Sequence, residues 1–122
     1  MRYRGVVHTM PRIVMKDTVL YGHEIKAGNQ VLPLFASANL DEAQFPHADQ
    51  FDIHRTPNRH LGFGYGIHFC LGASLARLET CIALGDMLER FPNLHRVDSA
   101  PLELRPSSFL YGLKHLPITW DR

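Results

Sequence analysis

The sequence has little cysteine, little net charge and no long apolar run, and each shortage removes a class of function. Its two cysteines are Cys70, in a glycine-rich loop, and Cys81, inside a helical pattern. This arrangement argues against a disulfide framework, and a reducing cytoplasm is the expected home. With no CxxC pair, an iron–sulfur cluster or a structural zinc is poorly supplied with ligands. Thirteen Lys and Arg against 12 Asp and Glu leave a net charge of +1, which indicates no nucleic acid or other polyanion as partner. No stretch has the length and apolarity of a membrane span. His8, Pro11 and Arg12 interrupt the amino terminus where a signal peptide needs an unbroken apolar core. Internal repeats and low-complexity tracts are missing too.

What is present fits one modest domain with no second domain: 122 residues, 45% of them hydrophobic. Short apolar runs at Ile13-Val14, Val19 to Tyr21, Ile25 and Val31 to Phe35, with turns at Tyr21-Gly22 and Ala27-Gly28-Asn29, predict small strands. Pro33 places the last of these at an edge or ends it early. A short helix is expected over residues 37–45, with Asp41 and Glu42 favouring its first turns. Residues 46–61 read as an ordered but irregular meander, because two prolines and three histidines interrupt any period. After Cys70, the spacing of Leu71, Leu75, Leu78 and Ile82, widened by Leu84, Met87, Leu88 and Phe91, predicts one long helix over 71–90, stopped by Pro92-Asn93. The tail carries apolar runs at Leu102 to Leu104 and Leu116 to Trp120, with a turn at Tyr111-Gly112, and predicts a small antiparallel pair. Residues 101–106 have little to pack on and look built to lie against something larger.

The informative stretch is Phe63 to Glu79, FGYGIHFCLGASLARLE. Gly64, Gly66 and Gly72 permit backbone angles that residues with a Cβ avoid, so the chain can curl round Cys70 and bring peptide N–H groups toward its sulfur. The positive end of the following helix adds to a field that suits an anionic sulfur. A single sulfur ligand suits a haem. A dinucleotide reading of the glycines fails, since neither Gly62-Phe63-Gly64 nor Gly64-Tyr65-Gly66 continues to GxGxxG. Taken alone, Cys70 and Phe63 also suit ordinary core packing, His68 and Arg12 suit solvated surface positions, and Cys81 is most simply a core residue of the helix. A zinc module built from Cys70 with His68, His60 or His54 is a competing reading.

The run Phe63, Gly64, Gly66, His68, Cys70, Gly72, Leu75-Ala76-Arg77 resembles the haem-ligand loop of the cytochromes P-450, in its bacterial form. Similarity continues at Arg2-Tyr3-Arg4, Arg12, Asp17-Thr18, Ala27-Gly28, Ser37-Ala38-Asn39, Phe51-Asp52, Arg55 and His60-Leu61. The resemblance implies an α+β segment from the carboxy-terminal part of a mostly helical fold: short antiparallel strands, an irregular meander, a cysteine-ligand loop, one long helix and a terminal β-hairpin. It implies haem b (iron protoporphyrin IX) as cofactor, bound by Phe63, Gly64, His68, Cys70, Gly72 and Arg12, with Cys70 as the metal ligand. In that reading Phe63 packs on the porphyrin near the sulfur, and His68 and Arg12 meet the propionates.

The activity implied is a haem-thiolate monooxygenase acting on a small apolar organic substrate. Val7, His8, Thr9, Phe109 and Leu110 would lie on the substrate side. An acidic ferredoxin or flavodoxin would dock near Arg77, a position that equally suits a solvent-facing helix arginine. The resemblance pairs Arg55 and Arg2 with a glutamate three residues before Arg2, which places that acid upstream of Met1. The helix that carries an acid–alcohol pair over the oxygen side has no counterpart here, so the isolated chain is expected to be inactive and to need the amino-terminal part of the fold. A noncatalytic haem-binding remnant of a truncated gene is the alternative.

Overall fold

The computed structural model describes residues 1–121, which divide between two units that the chain enters more than once. The first unit holds Met1–Gly62 and Ser107–Tyr111; the second holds Phe63–Pro106 and the chain from Gly112 onward.

In the first unit, strand β1 (Arg12–Ile13) pairs antiparallel with β4 (Gln30–Val31), in register Arg12 to Val31. Between them β2 (Thr18–Leu20) and β3 (His23–Ile25) form a tight hairpin whose turn is Tyr21-Gly22, both residues at positive φ. A glycine at the second position makes that turn inexpensive. β4 ends before Pro33, in keeping with the missing N–H of proline. Helix α1 is Phe35–Ala38 alone, so the helix expected over 37–45 is corrected to one turn. The cause is Asp41: its Oδ1 accepts the N–H of Ala43 at 2.9 Å, and its C=O accepts the N–H of Phe45 at 2.9 Å. These bonds start a separate turn and compete with helix continuation.

The returning segment Ser107–Tyr111 adds to the same unit. Val7 bridges Leu110, the His8 N–H donates to the Phe109 carbonyl at 2.9 Å, and the rings of His8 and Tyr111 stack at 4.9 Å. Arg2, Phe45, Ala48 and Asn39 make its buried centre.

The second unit opens with the cysteine loop and a single 3₁₀ turn, Gly66–His68, then runs into α2, Ala73–Arg90, the one long helix among the described residues. Phe91 closes α2 with its N–H on the Met87 carbonyl at 3.0 Å, and Asn93 at positive φ turns the chain away after Pro92. Strand β5 (His95–Arg96) pairs antiparallel with β6 (Ile118–Thr119), and the rings of Phe91 and Trp120 meet at 4.7 Å. Leu104 bridges Leu113, with the Arg105 N–H on the Gly112 carbonyl at 2.9 Å and the Lys114 N–H on the Glu103 carbonyl at 2.8 Å. The two apolar runs of the tail therefore do not pair with each other. Each finds another partner, the first run the Leu113-Lys114 segment, where the Lys114 Nζ also meets Glu103 at 2.9 Å, and the second β5.

Candidate functional site

Cys70 is held by its backbone on both sides. Its N–H donates to the Phe63 carbonyl at 2.8 Å, and its C=O accepts the Ala73 N–H at 3.2 Å. The first bond closes a loop from Phe63 to Cys70; the second joins that loop to the start of α2. Gly64 (φ +73°) and Gly66 (φ +69°) sit in the left-handed region that side chains with a Cβ avoid. A Cβ on Gly64 would also come within 3.3 Å of the His68 carbonyl.

Gly72 differs from the expectation. Its φ is −84°, an ordinary value, and it serves as the N-cap position of α2. A Cβ there would lie 4.0 Å from Cys70 Sγ, a normal contact, so Gly72 is tied to the sulfur by proximity and has no need of a special backbone angle.

The Cys70 thiol is exposed, as is Cys81, and the core position expected for Cys81 is thereby corrected: α2 buries only Ala73 among its side chains. Phe63, half-buried, meets Phe69 edge to face at 6.3 Å and carries the guanidinium of Arg77 over its ring at 4.7 Å. His68 is exposed at the end of the 3₁₀ turn. Phe63, Gly64, His68, Cys70 and Gly72 all belong to the second unit. Arg12 lies on β1 of the first unit, exposed, with Nη1 donating to the Pro11 carbonyl at 3.1 Å.

A haem is the group against which this donor set can be tested. Among the described residues no three His, Cys, Asp or Glu side chains gather closely enough to hold a metal ion, so the zinc reading through His68, His60 or His54 has no ligand set. A haem needs only one protein atom, because its macrocycle brings four nitrogens. Near Cys70 along the chain, Ile67 and Leu71 are almost wholly exposed, and Phe69 and Leu75 about half exposed. One available thiol among uncovered apolar side chains fits a flat apolar group with its own equatorial donors.

The residues expected on the substrate side, Val7, His8, Phe109 and Leu110, are brought together by the strand pairing of the first unit. Thr9 next to them is buried, and its Oγ1 has no hydrogen-bond partner. The two arginines of the expected charge network donate to backbone carbonyls. Arg2 Nη1 donates to Asn39 O (2.7 Å) and Ala48 O (2.9 Å), and its Nη2 to Gln50 O (3.2 Å). Arg55 donates to Pro46 O at 2.8 Å and His47 O at 2.9 Å, while its Nε is buried and unpartnered. Burial, then repulsion from Arg55, lower the pKa of Arg2, and Asp52 partly offsets them.

Asn39 was matched in sequence only as one of a similar trio, yet it is the largest fully buried side chain. Its Oδ1 accepts the Leu61 N–H at 2.7 Å while its own carbonyl receives Arg2. A short amide immediately after an apolar helical turn was the available signal.

A family profile for cytochrome P450 matches residues 1–119. The chain is 49% identical over 93% of its length to a putative cytochrome P450, YjiB, of Bacillus subtilis, of which it covers 28%. It is 42% identical over 98% of its length to a steroid C26-monooxygenase of Mycolicibacterium smegmatis, of which it covers 30%. The crystal structure of CYP109E1 from Bacillus megaterium in complex with testosterone superposes with a TM-score of 0.93 at 44% identity, covering 99% of this chain and 34% of that one. The chain thus spans less than a third of the length of these two curated relatives.

Proposed function

The chain belongs to the cytochrome P450 family, and on that premise we propose that it carries the haem-ligating part of a haem-thiolate monooxygenase, with Cys70 as the sulfur ligand to haem b. The observation that carries the reading is the exposed Cys70 thiol, held by the Phe63 carbonyl and the start of α2 and flanked by uncovered apolar side chains. When bound through such a sulfur, haem supplies an iron able to activate oxygen.

The chain's own residues then have separate tasks. Phe63 is proposed to pack on the porphyrin near the sulfur and to limit water access once haem is bound, Gly64 and Gly66 let the loop bend, and Gly72 lies beside the sulfur at the start of α2. Arg12 and His68 are the proposed donors to the propionates, where a charge-assisted bond to a carboxylate is strong. The substrate is proposed to be a small apolar organic molecule, in keeping with steroids in the names of two similar proteins. Electrons are proposed to come from an acidic ferredoxin or flavodoxin. No helix among the described residues is long and apolar enough to cross a membrane, and a cytoplasmic location is part of the proposal. So is the fold detail: a haem-ligand loop and following helix from the carboxy-terminal part of the family fold. Haem binding and spectra, not turnover, are what these 122 residues are proposed to supply by themselves.

The test is the ferrous carbon-monoxide spectrum after hemin is added. The strongly red-shifted Soret band of thiolate ligation is expected for the unaltered chain and for Cys81→Ser, and its loss for Cys70→Ser. A histidine-type band or equal loss from both substitutions would remove Cys70 as the ligand, and no bound haem would favour the noncatalytic remnant instead.

A further inference from the structure

We propose that Arg77 is a positioning residue for the cysteine loop, clamping the Phe63 ring and thereby keeping the Cys70 N–H on the Phe63 carbonyl. The inference rests on Cys70 as the haem ligand for its functional meaning, but its geometry stands independently. Phe63 joins three parts of the second unit. Its carbonyl accepts the Cys70 N–H at 2.8 Å, its ring meets Phe69 edge to face at 6.3 Å, and the Arg77 guanidinium lies over it at 4.7 Å.

Arg77 belongs to α2, which starts at Ala73, so the cation reaches back over the loop that precedes its own helix. A guanidinium over an aromatic face is attracted by the negative face of the ring, and its planar shape stacks where an ammonium only touches. The loop needs such a brace. Gly64 and Gly66, both at positive φ, lie between Phe63 and Cys70, and glycine pays the largest entropy cost on being ordered. The hydrogen bond from the Cys70 N–H to the Phe63 carbonyl spans that interval. A side chain that immobilises the Phe63 end narrows the positions open to the sulfur end.

The reading of Arg77 as a free surface cation awaiting an acidic partner makes the opposite demand, because its removal would then leave the loop undisturbed. Amide hydrogen exchange of the 122-residue chain, resolved by residue, separates the two. Arg77→Leu keeps a good helix former at this position. It is expected to speed exchange of the Cys70 N–H about two- to fivefold, the range of an exposed cation–π contact, with amides beyond Thr80 unchanged. Arg77→Lys should restore part of the protection. In a Phe63→Leu background, which keeps the carbonyl but removes the ring, Arg77→Leu should add nothing.

An unchanged Cys70 rate, a uniform increase along α2, an equal effect in the Phe63→Leu background, or no protection at Cys70 in the unaltered chain overturns the proposal. Exchange is read without haem. A chain that fails the Soret test yet shows this coupling would therefore lose the ligand assignment and keep the clamp.

Discussion

Arg2 illustrates what a buried guanidinium does when carbonyls surround it. It makes three hydrogen bonds to backbone oxygens from distant parts of the chain and lies 5.1 Å from the Phe45 ring centroid. A carbonyl that loses its donor inside a protein costs about 1–3 kcal/mol. Arg2→Met, which keeps the apolar stem, should therefore destabilise the first unit by about 2–4 kcal/mol, read as loss of amide protection across residues 39–61. Arg2→Lys should recover little, because one ammonium lacks the fork that spans several acceptors. Equal protection in all three proteins would show that the guanidinium is dispensable. From sequence, Arg2 and Arg55 were placed together only by the family resemblance, which pairs them with a glutamate. Their actual acceptors were not recognisable. Backbone carbonyls have no letter in the sequence, and neither does the closeness of Asn39, 37 positions away, to Arg2.

At the scale of elements, legibility followed length. The 18 residues of α2 repeat the helical period often enough to be read, and proline with asparagine marks its end. Strands of two residues hold no period, so the pairing of Ile118–Thr119 with His95–Arg96 could not be read. The β2–β3 hairpin was legible through Tyr21-Gly22, but the clasp at its open end was not. There Asp17 accepts the Ala27 N–H at 2.9 Å and the Lys26 Nζ at 3.0 Å, and these bonds lower its pKa. An acid whose pKa falls on folding stabilises the folded form above its ordinary value and loses that contribution as pH drops through the lowered one. Ala27 amide protection should accordingly persist down to pH about 4 and decline below it. Asp17→Asn should weaken the protection at neutral pH and flatten the pH dependence. A decline with the same midpoint in Asp17→Asn would assign the effect to another group. The loop glycines make a second prediction. Gly66→Ala forces a Cβ into positive φ and should cost about 1 kcal/mol. Gly72→Ala, at φ −84° with only a normal contact to Sγ, should leave the hemin spectrum and the stability nearly unchanged.

For the whole molecule the decisive quantity is uncovered apolar surface. Phe45, Ala48 and Ala73 are the buried hydrophobic side chains among the described residues, whereas Leu75, Leu78 and Ile82 on α2 each remain more than half exposed. Steps of three and four place these three on one face of the helix. Full burial of a leucine or isoleucine stabilises by about 1.5–3 kcal/mol relative to exposure, so a contiguous stripe of this kind favours association with whatever apolar surface is available. In a purified preparation that surface belongs to other copies of the chain. Sedimentation should therefore show concentration-dependent association together with strong binding of an environment-sensitive apolar dye. The pair Leu78→Glu and Ile82→Glu should weaken both, since charge on the stripe opposes its burial while glutamate preserves helix propensity. The same pair leaves Cys70 and its loop bonds untouched, and the hemin spectrum should survive it. If the doubly substituted chain associates as strongly as the unaltered one, the contacts arise elsewhere, and the exposed side chains Met15, Phe51 and Ile53 of the first unit become the surface to alter next.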